Sequence, residues 1–171
     1  LHSKPDSLVV IIGAGFDTRA FRLKRGRWVE IDEPAIITYK ESKLKASEAQ
    51  NSLTRIPISF SNESLAEKLA AFHTREKTHI VIEGVLMYLN ESQRANLLDT
   101  LFENFPNHVV YCDLMRKSFF ESYGRKLHEK IVSLGASFTD ISERPEELFL
   151  NRGYEILSHT SISLYAAEHG N

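Results

Sequence analysis

The sequence predicts an α/β fold, with a mostly parallel sheet covered by helices on both faces. Short runs of β-branched residues alternate with segments of helical period, which is typical of repeated strand–helix–strand units with right-handed crossovers. The first run, Leu8–Ile12, is continuously apolar, as a strand buried on both faces must be. With 171 residues, 42% of them hydrophobic, the chain is long enough for one domain with a sizeable core.

Six strands are expected from these runs. The strand pattern of the third is weaker than that of the others, and the sixth strand follows the loop at Gly153. In chain order they are Leu8–Ile12, Trp28–Ile31, Arg55–Phe60, His79–Ile82, His108–Cys112 and Tyr154–Ile162.

Helical segments lie between these strands. Pro34 suits a first helical turn, with Asp32 as a candidate cap before it, and Asn90 with Gln93 predicts a capping box. A further helix is expected over about Ser118 to Leu134. The residues predicted to face inward are Ile36, Ile37, Lys40 and Leu44; Leu65, Leu69 and Phe72; Leu97, Leu98, Leu101, Phe102 and Phe105; and Phe120, Tyr123, Leu127, Ile131 and Leu134.

Composition excludes several classes of function. The 21 basic and 23 acidic residues are mixed along the chain, for a net charge of -2, so neither a nucleic acid nor an anionic membrane is an expected partner. The longest apolar stretch is far too short to span a bilayer. The single cysteine, Cys112, fits a reducing cytoplasm, and the scattered histidines offer no metal-ligand spacing.

A glycine turn follows the first strand directly. Gly13 and Gly15 allow the chain to turn sharply and let a ligand approach bare backbone. A dinucleotide fingerprint would place a third glycine at position 18, where this chain has Thr18. The alternative interpretation is a tight turn with a purely structural role.

Acidic residues end two of the strands. Glu30 and Asp32 lie at the end of the second strand, where a carboxylate can accept both ribose hydroxyls of an adenosine; we expect only one of them to point at the ligand. Either could instead cap the next helix. Glu83 follows the fourth strand and would suit a cationic ligand, or it could form a salt bridge with an arginine of the first helix.

Three blocks in this order resemble the leucine carboxyl methyltransferase family and its bacterial relatives, which are S-adenosylmethionine-dependent. They read IIGAGFDTRAFRL (11–23), WVEIDEP (28–34) with Lys40 beyond, and IEGVLMYL (82–89). The resemblance extends over about Val9 to Phe120. It implies a class I, Rossmann-like methyltransferase fold with S-adenosylmethionine across the carboxyl ends of the first, second and fourth strands.

The resemblance also implies roles for individual residues. Gly13 and Gly15 would approach the amino-acid end of the cofactor, Asp32, preferred to Glu30, would hold the ribose hydroxyls, and Glu83 would face the methionine portion. Ser59 stands where the family usually has an aspartate for the adenine amino group. Asp17 and Arg19 would brace the glycine turn or, as the alternative, contact the ligand or substrate. Tyr88 would line the substrate side.

The resemblance leads to an expected domain and reaction. Residues 1–171 would form one methyltransferase core domain, incomplete because it lacks the N-terminal lid helices and the last strand. The expected reaction is O-methylation of a carboxylate or hydroxyl on a small molecule or a protein C-terminus. Two alternatives stay open, a non-catalytic methyltransferase-like binding module and an NAD-dependent oxidoreductase.

Overall fold

The computed structural model describes residues 7–133, 135–139, 141–161 and 165. Five strands form one parallel sheet in the order β3-β2-β1-β4-β5, which confirms the predicted fold class. The strands are β1 (Leu8–Ile12), β2 (Arg27–Asp32), β3 (Ser52–Pro57), β4 (Thr78–Ile82) and β5 (His108–Cys112).

The register brings three strand ends together. β1 is central, and its last residue, Ile12, is paired with Ile31 of β2 on one side and Ile82 of β4 on the other. The chain segments that follow β1, β2 and β4 therefore leave the sheet at the same edge. In open parallel sheets ligands bind at this carboxyl edge.

Helices cover both faces of the sheet. The face packed against α3, α4 and α7 carries the larger apolar cluster, which includes Val10, Ile31 and Ile82, and the opposite face packs against α1 and α2. The helices are α1 (Arg19–Arg22), α2 (Pro34–Lys43), α3 (Leu65–Leu69), α4 (Glu91–Asn104), α5 (Lys117–Phe119), α6 (Arg125–Ser133) and α7 (Glu147–Leu150). Short 3-10 turns lie at Ala46–Glu48, Ala70–Phe72 and Leu86–Tyr88, and a π-helical turn at Phe120–Gly124 joins α5 to α6.

The start of α4 confirms the predicted capping box. The Asn90 side chain accepts from the Gln93 backbone amide, and the Gln93 side chain accepts from the Asn90 amide, which satisfies two amides at the helix start. Pro34 lies in the first turn of α2, as predicted, but the prediction of Asp32 as its cap was wrong. Glu33 precedes that helix without a side-chain cap, because the Asp32 carboxylate turns back toward the glycine turn.

The remaining differences lie at edges of the fold. β3 begins at Ser52 and ends at Pro57, so both of its ends lie three residues earlier than predicted. Phe102 was expected to face inward but is 38% exposed. The helix expected from Ser118 is present as the run from α5 to α6; Leu134 and the side chains of Tyr123 and Leu127 lie outside the described residues.

The predicted sixth strand is wrong over the residues that the structure describes. Tyr154 to Ser161 form no strand, and Ile162 lies outside those residues. The Tyr154 ring is instead packed against Phe102 and Phe149, and its hydroxyl lies 2.7 Å from His108 Nε2. A side chain anchored in this way places Tyr154 beside β5 without a backbone ladder.

Candidate cofactor site

A cavity of about 560 Å³ opens at the carboxyl edge of β1 and β4. It lies where the register of the sheet predicts a ligand site. Its lining residues are Ile11, Gly13, Ala14, Gly15, Phe16, Asp17, Thr18, Arg19, Arg22 and Glu83.

The glycine turn forms the floor of this cavity. Gly13 and Gly15 have positive φ angles of 71° and 42°, a region that side chains disfavour. The amides of Gly13 and Ala14 both donate to the Ile31 carbonyl, at 2.9 and 3.0 Å. A Cβ on Gly13 would lie 2.3 Å from Val85 Cγ2, so the absence of a side chain there is a packing requirement.

Asp32 fastens the end of β2 to this turn. Its Oδ2 accepts the Gly15 amide at 2.6 Å, and its Oδ1 accepts the Glu33 amide at 2.7 Å. The carboxylate is partly exposed and adjoins the cavity through Gly15. Because a carboxylate has about four acceptor positions, two amides leave capacity for further donors.

An ionic bridge crosses the cavity wall. The Arg19 backbone amide and Nε donate to Asp17 Oδ1 and Oδ2, both at 2.6 Å, and Nη2 lies 2.5 Å from Glu83 Oε2. Burial disfavours the charged guanidinium, but its hydrogen bonds to Asp17 and Glu83 outweigh burial and raise the pKa of Arg19. The arginine therefore stays charged while it joins the glycine turn to the end of β4.

Glu30 lies on the same sheet face as Asp32 but two residues further from the edge. It is fully buried, with Oε2 lying 2.9 Å from both Lys40 Nζ and Arg55 Nε. Lys40 Nζ also lies 3.5 Å from the Ala14 carbonyl oxygen. This buried ionic cluster of Glu30, Lys40 and Arg55 therefore contacts the glycine turn through Lys40.

The sequence model of one protein family, leucine carboxyl methyltransferase, matches residues 6–102, which is more than half of the chain. The chain belongs to the leucine carboxyl methyltransferase family. The matched segment contains β1 to β4 and the whole cavity lining.

The chain is also similar to individual proteins. The chain is 29% identical over 168 residues to a protein of Frankia alni that is named a candidate S-adenosyl-L-methionine-dependent methyltransferase, covering 94% of this chain and 60% of that protein. The chain thus spans less than two thirds of the length of this relative.

Solved structures share the fold. The structure of a candidate O-methyltransferase from Nostoc punctiforme is similar with a TM-score of 0.64 at 12% identity, over 92% of this chain and 48% of that one. The structure of PKMT2 from Rickettsia typhi in complex with AdoHcy has a TM-score of 0.54 at 13% identity, over 96% of this chain and 32% of that one.

The nine residues predicted from the sequence separate into three groups in this family member. Five of them line the cavity: Gly13, Gly15, Asp17, Arg19 and Glu83. Asp32 adjoins the cavity through Gly15, and Glu30 lies beneath it, in the buried ionic cluster. Ser59 and Tyr88 are not among the lining residues.

Ser59 and Tyr88 have other neighbours. The Ser59 amide donates to Glu63 at 2.8 Å, and the Tyr88 ring, 38% exposed, packs against Phe138 with ring centres 5.3 Å apart. Ser59 nevertheless follows Ile58, whose amide donates to the Asp32 carbonyl at 2.9 Å, so it lies next to the end of β2.

Five lining residues were missed by the sequence analysis: Ile11, Ala14, Phe16, Thr18 and Arg22. Thr18 and Arg22 are four residues apart, and Arg22 Nε donates to Thr18 Oγ1 at 2.8 Å. Helical spacing could have placed both on one side of α1, whereas nothing in the local pattern distinguishes Phe16, which is 65% exposed.

Among the residues that the structure describes, no group of three or more histidine, cysteine or acidic side chains could hold a metal ion. Within that same part of the chain, no helix combines the length and the apolarity needed to cross a membrane.

Proposed function

We propose that this chain is the cofactor-binding core of an S-adenosylmethionine-dependent methyltransferase. The observation that carries the proposal is the cavity at the carboxyl edge of β1 and β4, lined by the glycine turn and Glu83. Family membership and the AdoHcy bound to the structurally similar PKMT2 of Rickettsia typhi support it. The methyltransferase activity is proposed as well, because the chain spans less than two thirds of the length of the Frankia alni relative.

The residues present fit this cofactor. Backbone at Gly13 and Gly15 leaves room for close approach, and Asp32 can keep the Gly15 amide while it accepts the ribose hydroxyls. Glu83 adds negative charge where the methionine portion would lie, which suits a sulfonium cation. Ser59, beside the end of β2, would be the side-chain neighbour of the adenine.

The bound cofactor would supply an electrophilic methyl group for in-line displacement by the acceptor. The chain's contribution is alignment: the glycine turn and Asp32 would hold the adenosine, and Glu83 would orient the methionine portion. No described histidine lines the cavity, so no imidazole base is positioned there. This favours an acceptor that is already ionised, such as a carboxylate, because a hydroxyl would need assistance from a base.

The methyl acceptor is proposed by its chemical class. We infer O-methylation of a carboxylate or hydroxyl, on a small molecule or a protein C-terminus. Tyr88 is the side chain proposed to line the acceptor side, since it follows β4 and is partly exposed. A substrate screen should therefore begin with small carboxylic acids, before phenols and alcohols.

The cofactor site is tested by calorimetric titration of S-adenosylhomocysteine into this chain and into Asp32→Ala and Asp32→Asn variants. A hydrogen bond to a charged group contributes about 1.5–3 kcal/mol, so we expect both variants to weaken binding by about 10- to 100-fold. Asn keeps an oxygen that can accept the Gly15 amide. A loss of binding shared by both variants therefore reflects the lost ligand contact and not a disturbed glycine turn.

The matched control is Asp99→Ala, which removes a carboxylate that is 66% exposed on α4 and should leave binding unchanged. The proposed site would be contradicted if the unaltered chain did not bind S-adenosylhomocysteine. It would also be contradicted if the Asp32 variants bound it as tightly as the unaltered chain does. A parallel titration with NADH distinguishes a nicotinamide enzyme, because only that alternative predicts NADH binding.

A further inference from the structure

The peptide unit between Ala14 and Gly15 lies at the centre of the glycine turn. Its amide, on Gly15, donates to Asp32 Oδ2 at 2.6 Å. Its carbonyl oxygen, on Ala14, accepts the Asp17 amide at 2.9 Å and lies 3.5 Å from Lys40 Nζ. This one peptide unit therefore has a carboxylate at its amide end and an ammonium at its carbonyl end.

The two charges match the dipole of the peptide unit. A peptide unit is positive at its amide and negative at its carbonyl, so Asp32 attracts one end and Lys40 attracts the other. Rotation of the unit by half a turn would bring the carbonyl oxygen toward the Asp32 carboxylate and the amide toward the Lys40 ammonium. Both contacts would then be repulsive, so Lys40 favours the orientation in which Gly15 donates to Asp32.

Glycine makes such a rotation accessible at this position. Gly15 has a φ of 42°, and a Cβ added to it would meet no heavy atom within 4 Å. Glycine adopts positive and negative φ with similar ease, so the preceding peptide unit can rotate without a steric cost at Gly15 itself. The orientation of the unit therefore depends on its polar partners.

The remainder of the buried ionic cluster fixes Lys40. The Lys40 side chain extends from α2, is 3% exposed, and has its Nζ 2.9 Å from Glu30 Oε2. Arg55 Nε, from β3, lies at the same distance from that oxygen. A buried ammonium beside a buried carboxylate has little freedom to move, so the packing of α2 sets its distance from the Ala14 carbonyl.

We propose that Lys40 is a positioning residue for the cofactor, which holds the Ala14–Gly15 peptide unit in the orientation that binds ligand. In the rotated orientation the Ala14 carbonyl would repel the Asp32 carboxylate from the place where it accepts the ribose hydroxyls. The inference rests on the proposed function. It adds to the residues that determine affinity one that is not among the lining residues of the cavity.

Lys40→Met and Arg55→Met are a matched pair of variants. Each removes one of the two cations that lie 2.9 Å from Glu30 Oε2, and Lys40 is the one whose Nζ contacts the Ala14 carbonyl. We expect Lys40→Met to weaken S-adenosylhomocysteine binding by about tenfold, which corresponds to a fall of the binding orientation to about a tenth of the molecules. Arg55→Met should bind it within about twofold of the unaltered chain.

The nuclear magnetic resonance signal of the Gly15 amide reports the orientation of the peptide unit without any ligand. The chain has eight glycines, so isotope-labelled glycine gives a simple spectrum, in which Gly15→Ala identifies the Gly15 signal by its loss. A short hydrogen bond to a carboxylate moves an amide proton downfield. We therefore expect an upfield shift in Lys40→Met and none in Arg55→Met. Gly84 donates its amide to Asp113 Oδ1 at 2.8 Å, and its signal should stay in place in both variants.

A second variant, Lys40→Met combined with Glu30→Gln, covers the case in which Lys40→Met alone does not fold. It removes the ammonium and the carboxylate together, so no anion is left unpaired in the core, and Arg55 keeps its ion pair with Glu41. Circular dichroism shows whether each variant is folded. The same upfield shift of the Gly15 signal and the same loss of affinity are expected.

Two results would overturn the inference. One is a Gly15 signal that does not move in a folded Lys40 variant, and the other is an equal loss of affinity in Lys40→Met and Arg55→Met. If the unaltered chain does not bind S-adenosylhomocysteine, the proposed function fails. The Gly15 signal, which needs no ligand, then still decides whether Lys40 orients the peptide unit.

Discussion

Gly13 shows how tightly single residues shape the cavity floor. Its positive φ and the nearby Val85 side chain impose two separate restrictions on this position. Gly84 has a similar φ of 68°, but a Cβ at that position would have no heavy atom within 4 Å. The two glycines therefore separate the conformational cost of a side chain from its steric cost.

Gly13→Ala should destabilise the protein more than Gly84→Ala. The left-handed conformation costs either variant about 1–2 kcal/mol, and the collision with Val85 should add about 1–3 kcal/mol at position 13 only. Urea unfolding followed by circular dichroism measures both. Val85→Ala combined with Gly13→Ala should recover part of the loss, and equal destabilisation by the two single variants would contradict the steric argument.

The sequence predicted a site residue correctly where the pattern that marks it lies in the neighbouring residues. The glycines and Asp32 could be located because they directly follow predicted strands. The role of Glu30 could not, since residues two apart share a face of a strand and only the packing of α2 and β3 decides which carboxylate is buried. The Arg19–Glu83 contact, between residues 64 positions apart, was foreseen only as one alternative for Glu83.

At the scale of elements, the buried ionic cluster of Glu30, Lys40 and Arg55 joins three of them. Lys40 belongs to α2, Glu30 to β2 and Arg55 to β3, and the side chains of Lys40 and Arg55 are 3% and 4% exposed. Arg55 is also paired with Glu41 and donates to the Leu44 carbonyl at 2.6 Å. This cluster therefore joins α2 to β2 and β3 through buried ion pairs.

Lys40→Met should be strongly destabilising, although methionine fills nearly the same volume. It removes a cation from a buried carboxylate, a loss that typically costs about 3–5 kcal/mol when a partner is left unpaired. Because Arg55 still contacts Glu30, we expect a cost at the lower end of that range. Urea denaturation measures the loss, and Lys43→Met on the exposed side of the same helix should change stability by less than about 0.5 kcal/mol. A similar small effect at both positions would contradict the role of the cluster.

Elements with strong end signals were predicted best. Asn90 and Gln93 placed the start of α4 correctly because a capping box is a local side-chain arrangement, and β1 was correct at both ends because of its unbroken apolar run. The segment from Tyr154 has the composition of a strand, yet a strand requires a neighbour to pair with. The contacts of Tyr154 with Phe102, His108 and Phe149 are not encoded in a local pattern.

At the scale of the whole molecule, two histidines link stability to pH. Burial lowers the pKa of His79, with a contribution from Lys77, and burial also lowers the pKa of His108 below the ordinary value of 6.5. His108 donates from Nδ1 to the Phe105 carbonyl at 2.5 Å, so its Nε2 accepts from the Tyr154 hydroxyl. The folded protein thus favours a neutral imidazole.

Stability should fall as the pH is lowered from about 7.5 to 5.5. Below about pH 6.5 the unfolded chain takes up protons that the folded protein resists, so the free energy of unfolding decreases until the lowered folded pKa is reached. His108→Gln should reduce this dependence in urea midpoints measured across the range. His73→Gln, at an exposed position before β4, should not, and an unchanged slope in His108→Gln would contradict the assignment.

The central position of β1 has a consequence for how the protein folds. β1 pairs with β2 across a short connection but with β4 only after about seventy residues of chain have been brought back to it, so the contact order is high. The cavity needs both pairings, since its floor follows β1 and Glu83 follows β4. Affinity for the cofactor should therefore arise late in folding, and only after the ribosome has released β4 can ligand begin to stabilise the nascent chain.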